Sequence, residues 1–280
     1  MGTSQSSAGP GGGVPMVPPW VPDLPPESSV GDAASNDGGD EAPSQPQVSP
    51  APIPMAPAAR FGNTRRSLGE YARSGGAPNL RRSLGRYTRS GYGGARTAVR
   101  RFGGTVGTAD VLGRALENVA AGRPADLGIG LDPALLDGRS VDEVMDAVVE
   151  AVRPVDGTQD AEAARAAIRD ALTDLLTRFP DADLLGLNAD QRDFVIERYV
   201  AIDVFRRFDL DVGKSIRDKA PNATTALSRL KEIRDFVKET VAASFRKLRD
   251  RGQRPGGRRI AQVVRDALSD VFAVFEGYAE

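Results

Sequence analysis

From residue 105 onward, apolar residues recur every three or four positions, and this spacing predicts α-helices throughout. "VLGRALENVAAG" places Val111, Leu112, Ala115, Leu116 and Val119 on one face, with Gly122 and Pro124 as stop signals. "SVDEVMDAVVEAV" begins with a capping box, Ser140 with Glu143, and carries the stripe Val141, Val144, Val148 and Val152 up to Pro154. A helix over about 159–179 follows, with Ala164, Ile168, Leu172, Leu175 and Phe179. Asn188 and Gln191 form a second capping-box pattern, opening the most apolar helix (Phe194, Val195, Tyr199, Ile202, Phe205, Phe208), which is the expected core centre. Asn222 precedes a long helix with Leu227, Leu230, Val237, Val241, Phe245 and Leu248. After "RGQRPGGRR" a last helix carries Ile260, Val263, Ala267, Val271, Phe275 and Tyr278. The last two helices read as an antiparallel hairpin, and no alternating strand pattern is present.

Upstream the pattern changes twice. "RRSLGEYARSG" (residues 65–75) recurs as "RRSLGRYTRSG" (residues 81–91), and a degenerate echo, "VRRFGGTVG", spans residues 99–107. Each copy predicts a short helix closed by glycine, with Leu68 and Tyr71, or Leu84 and Tyr87, on one face at i,i+3. Helices this short are marginal alone and must pack on something. Residues 1–59 are rich in Pro, Gly, Ser, Ala and Asp and cannot bury enough apolar surface to offset their ordering entropy. The expectation is an all-α protein: a helical bundle-like domain over 105–280, preceded by a disordered Pro/Gly-rich N-terminal tail over 1–59 and an arginine-rich repeat of short helices over 60–104.

Charge sharpens these boundaries. The chain is nearly neutral at −1, but residues 1–59 hold six acidic side chains and no basic one. Residues 60–103 hold eleven arginines against Glu70 alone. Arginine without lysine favours bidentate contact with phosphate or carboxylate, which makes Arg65, Arg66, Arg81, Arg82, Arg89, Arg100 and Arg101 candidate contacts for phosphate or an acidic partner. Tyr71, Tyr87, Tyr92 and Phe102 add a capacity to stack on bases. The competing readings are a solvated helical surface and a counter-charge for the chain's own acidic tail.

Cysteine and histidine are both absent, which removes the thiol nucleophile, the commonest general base and the commonest metal ligands. No catalytic constellation, cofactor motif or metal site is legible, so a non-enzymatic role is expected. No apolar run is long enough to span a membrane and no signal peptide opens the chain, which places the protein in the cytoplasm. The segment "VPMVPPWVPDLPP" (residues 14–26) sets Val17, Pro18, Pro19 and the chain's single tryptophan, Trp20, on a proline scaffold, the build of a linear docking motif. Met1-Gly2-Thr3-Ser4 also fits the start of the loose myristoylation pattern, a short one that matches readily by chance.

"MGTSQSSAGPGGGVPMVPPW", followed by an arginine-glycine repeat running into "RSGYGG" and "RRFGGT", resembles the B-component family of the bacterial Qat anti-phage defence system. The resemblance is strongest over residues 1–20 and 81–105. It implies a four-gene operon whose other members are an ATPase, an enzyme similar to the deazaguanine synthase QueC and a TatD-like nuclease, with the B protein the non-enzymatic member. It further implies that Gly2, Thr3, Ser4, Val17, Pro18, Pro19 and Trp20 bind the QueC-like enzyme, with the Gly2 amine as a candidate modification site. The alternative is a nucleic-acid-binding protein that senses phage DNA or RNA through its arginines.

Overall fold

The computed structural model describes residues 59–123 and 131–279, and among these every regular element is helical. The chain runs α1 (Gly62–Ser74), α2 (Ala77–Arg86) with a π-helical turn (Tyr87–Gly91), α3 (Ala95–Arg101), α4 (Gly103–Ala120), α5 (Pro133–Leu136), α6 (Val141–Val152) and α7 (Gln159–Arg178). It continues through α8 (Ala189–Phe208) with a second π-helical turn (Asp209–Gly213), α9 (Lys214–Lys219), α10 (Ala223–Asp250) and α11 (Ile260–Gly277). Residues 1–58, which include the tail and its docking motif, lie outside the described residues.

The predicted caps are present. Ser140 accepts from the backbone N–H of Glu143 while Glu143 accepts from that of Ser140, and Asn188 and Gln191 do the same for α8. Asn222 caps α10 through the Thr225 N–H. These contacts satisfy backbone donors that a helix start leaves open, each worth about 1 kcal/mol.

Helix α8 occupies the centre and packs against α4, α7 and α10. From Tyr199 to Val204 every residue is buried, so this stretch has no solvent face at all. Helices α10 and α11 are antiparallel: Phe236 stacks near Phe275 and Tyr278, whereas Lys247, further along α10, pairs with Asp270, further back on α11. One apolar cluster runs from Phe61 to Phe275 and crosses the compositional boundary at residue 104. The helices of the arginine-rich segment complete it: α1 packs on α9 and α10, and α2 and α3 pack on α11.

Three details depart from the sequence pattern. Helix α4 begins at Gly103 rather than residue 105, because the glycines that read as a turn are helical. Val141 and Leu227, assigned to apolar stripes, are exposed at 52% and 68%; each lies in the first turns of its helix, beyond the edge of the packed face. The second repeat copy does not close at Gly91. It continues through the π-helical turn, and the positive-φ residues are Gly93 and Gly94. Among the described residues no helix is long and apolar enough to cross a membrane.

Candidate functional site

The repeat separates cleanly into positions used by the fold and positions left for contact. In the first copy the Ser67 hydroxyl donates to the Thr64 carbonyl at 3.0 Å, and in the second the Ser83 hydroxyl donates to the Asn79 carbonyl at 2.8 Å. Leu68 and Leu84 are buried, as are Tyr71 and Tyr87. Burying such side chains contributes roughly 2–3 kcal/mol each, which offsets the marginal stability of helices this short. Gly91, inside the π-helical turn, lies against the Phe61 ring, where a Cβ would come within 2.6 Å of a ring carbon.

The repeat tyrosines also reach carboxylates far along the chain. Tyr71 donates to Glu232 Oε2 at 2.7 Å. Tyr87 and Tyr92 both donate to Asp211 Oδ2, at 2.9 and 2.6 Å, from a nest of aromatic rings that includes Phe61, Phe102 and Phe208. Burial pushes the Asp211 carboxyl above its ordinary value, while the two hydroxyls and the Arg60 and Arg207 charges act in the opposite direction. Burial first, and then the Asp211 charge, hold Tyr87 and Tyr92 protonated. Buried Arg60 lies over the Phe61 and Tyr92 rings, and Arg65 Nη2 approaches the Asp211 carbonyl at 3.4 Å.

A second buried polar node ties α4 to α8. Thr105 Oγ1 donates to Asp203 Oδ2 at 2.5 Å. Arg207 pairs with Asp203 at 3.6 Å and Asp160 at 3.3 Å while lying over the Phe102 ring. Desolvation pushes the Asp203 carboxyl up, and Arg207 and Thr105 oppose it. Both nodes are donor–acceptor sets at the edge of the core, with Asp203 buried, Asp211 and Arg207 partly exposed and Asp160 at the surface, and their geometry holds helices together. Among the described residues no group of His, Cys, Asp and Glu is placed to hold a metal ion.

Of the candidate arginines, Arg66, Arg81, Arg82 and Arg89 are exposed, and Arg65, Arg100 and Arg101 are partly exposed. Arg81 lies over the Tyr278 ring at 5.6 Å. Arg66, Arg82, Arg89 and Arg101 form no ion pair among the described residues. The neighbouring Arg86 likewise has none, which leaves Arg82, Arg86 and Arg89 as an unneutralised stripe at i, i+4 and i+7 along α2 and its π turn. The expectation that Tyr71, Tyr87, Tyr92 and Phe102 stack on bases is overturned: none is more than 2% exposed, because each completes the apolar core. Gly2, Thr3, Ser4, Val17, Pro18, Pro19 and Trp20 lie outside the described residues. Sequence reading missed Arg60, Asp203, Asp211 and Glu232, whose roles arise from contacts across long stretches of chain. It also missed a groove of about 660 Å³ between α10 and α11, lined by Phe236, Ala243, Val274 and Tyr278 with Arg246 and Lys247 at its rim.

Comparison with known proteins adds one finding. No curated protein and no solved structure matches the chain. A family model described as "Qat anti-phage system associated protein QatB" matches residues 93–275, from the end of the repeat through α11. That span covers more than half of the chain, including the Thr105–Asp203–Arg207 node and nearly all of α4–α11, while Tyr87 and Tyr92 of the first node lie just before it. The chain belongs to the QatB family of Qat anti-phage system associated proteins.

Proposed function

We propose that this protein is the non-enzymatic, partner-binding subunit of its Qat defence assembly. Its N-terminal segment engages the QueC-like enzyme of the system, and the helical body is the platform on which that enzyme, the ATPase and the TatD-like nuclease are brought together. The observation that supports this reading is the division of labour in the repeat. Its aromatic, serine and glycine positions go into packing, and arginines remain outside as unneutralised charge suited to docking.

The finer part of the reading concerns Gly2. A QueC-type enzyme joins a deazaguanine carboxylate to the α-phosphate of ATP, releasing pyrophosphate. An amine then attacks the acyl carbon, AMP leaves, and one amine proton is released as the amide forms. A glycine α-amine, with a pKa near 8, is roughly a tenth unprotonated at neutral pH and is the same kind of nucleophile as ammonia. Trp20 and its prolines would anchor the segment outside the enzyme's active site, leaving "TSQSSAGPGGG" to thread inward.

The test is co-expression with the other Qat components, followed by pull-down and intact-mass measurement. Trp20→Ala is expected to weaken binding of the QueC-like enzyme by roughly 2 kcal/mol or more while leaving the melting temperature unchanged. An adduct that disappears in Gly2→Glu, which retains Met1, supports modification; an unmodified terminus in cells resisting phage removes it. The second reading, nucleic-acid binding through the unneutralised arginine stripe, predicts affinity for oligonucleotides that falls steeply with salt.

A further inference from the structure

The arginine stripe of α2 differs from the other charged surfaces of the molecule. Several exposed arginines elsewhere sit beside carboxylates, as Arg139 with Glu143, Arg169 with Asp142 and Asp146, and Arg254 with Asp190. Arg251, Arg258 and Arg259 around the turn before α11 also form no ion pair among the described residues, but they do not follow one another along an α-helix. In the first repeat copy, Glu70 stands between Arg66 and Arg73 at the same spacing. In the second copy Arg86 takes the place of that glutamate, so Arg82, Arg86 and Arg89 follow one another with no negative group among them. Like charges at i,i+4 repel, so the stripe calls for an external anion.

We propose that this anion is the chain's own acidic stretch, residues 23–41, docked on Arg82, Arg86 and Arg89 of the same molecule. All six acidic side chains of residues 1–59 fall in this stretch: Asp23, Glu27, Asp32, Asp37, Asp40 and Glu41. No basic residue dilutes them. The eighteen residues from Glu41 to Ala59 reach at most about 60 Å when extended and about 24 Å on average as a flexible coil. A folded body of this size has a radius of gyration of about 17 Å, and the stripe lies soon after Ala59, so the contact is within reach in cis. A tether of this length holds the acidic stretch at an effective concentration in the millimolar range, enough to populate a weak multi-charge contact.

Carboxylates match guanidinium donors in pairs, and a Pro/Gly/Ser-rich segment needs no fold of its own to present them. Nucleic acid is the less favoured occupant, because every aromatic side chain of residues 60–104 is buried and no ring is left to stack on a base. Docking would fix the root of the tail on α2 and leave residues 1–22, with Trp20, projecting from it. The stripe would become free for another anion only when the tail is drawn away. This contact does not depend on which enzyme takes the N-terminus.

The full chain has no cysteine, so Asn36→Cys with Ala77→Cys gives a clean pair of spin-label sites, one on the acidic stretch and one on exposed α2. Pulsed electron resonance is expected to show a short-distance population at low ionic strength. It should be lost at about 0.5 M salt, where the screening length falls to roughly 4 Å. It should be lost equally in Arg82→Gln/Arg86→Gln/Arg89→Gln, which should stay folded because Arg82 and Arg89 are exposed and glutamine keeps the first part of the partly buried Arg86 stem. A broad distribution at low salt, or a short one that survives the triple substitution, overturns the proposal. Binding of a twenty-residue oligothymidylate supplies the second readout. Replacing Asp32, Asp37, Asp40 and Glu41 by their amides should tighten it by roughly threefold to tenfold, as removal of an intramolecular competitor does. Unchanged affinity assigns the stripe to nucleic acid and overturns the cis contact.

Discussion

The two copies of the repeat share nine of eleven residues and the same packing code, but their tyrosines end in different surroundings. Tyr71, in α1, donates to a glutamate on α10 whose side chain is 42% exposed and also pairs with Arg229. Tyr87, in the π turn after α2, shares the largely buried Asp211 carboxylate with Tyr92, both hydroxyls lying inside a ring of aromatic side chains. The leucine and serine do the same work in both copies. The dielectric around the acceptor is what differs, and that sets how much the contact is worth. A motif thus fixes which face is buried, while the distant partner fixes the energetic depth.

The largest test of this contrast is removal of the two acceptors. Asp211→Ala leaves the two buried hydroxyls only their long contact with each other, at 3.4 Å, and is expected to cost about 3 kcal/mol in urea denaturation, at roughly 1–3 kcal/mol for each under-satisfied group. Glu232→Ala should cost about 1 kcal/mol, because water can replace a half-exposed acceptor. Equal losses would show that enclosure is not the deciding variable.

The equivalent glycines give the next contrast. A Cβ on Gly85 would lie 2.4 Å from the Ala279 backbone nitrogen, whereas on Gly69 it meets flexible side chains, Lys219 at 3.4 Å and Arg73 at 3.7 Å. Gly85→Ala is expected to cost about 1–3 kcal/mol through overpacking. Gly69→Ala should be neutral, or stabilising by about 0.5–1 kcal/mol through helix propensity. Thermal melts of the two variants measure the difference, and a stabilised Gly85→Ala would refute the close approach of α2 to the end of α11.

The smallest effect is one of pH. Burial raises the Asp211 carboxyl above its ordinary value of 3.8. Between 3.8 and that raised value the folded protein holds a proton that the unfolded chain has released. The contribution to stability is therefore complete below 3.8 and declines as pH rises through the window. The stability difference between the native chain and Asp211→Asn should shrink with rising pH in that window. A difference that widens would show that the tyrosine hydroxyls and arginine charges outweigh desolvation.

Most of the helical body was readable because its signals are local. Ser140 with Glu143, Asn188 with Gln191, and the stripe through Ile260, Val263 and Ala267 act within one or two turns. Val141 and Leu227 misled because periodicity says which residues share a face but not how far along the helix the neighbour extends. The tyrosines of the repeat were open to two readings, since an amphipathic ring suits both a core and a stacking platform. The deciding contacts with Asp211 and Glu232 lie 124 and 161 residues away, beyond any local pattern. The short α9 and the π turns went unseen for a related reason: they are held by neighbours and carry no periodicity of their own.

The cluster shared by the repeat and the distal helices also constrains when the protein can fold. The Tyr87–Asp211 contact closes a loop of 124 residues, and at about 5–20 residues per second that span takes roughly 6–25 seconds to synthesise. For that interval α1 and α2 have left the ribosome while the side chains that will cover Leu68, Tyr71, Leu84 and Tyr87 do not yet exist. The first helices made are the ones that must wait, and non-local closure of this kind makes the final docking step slow.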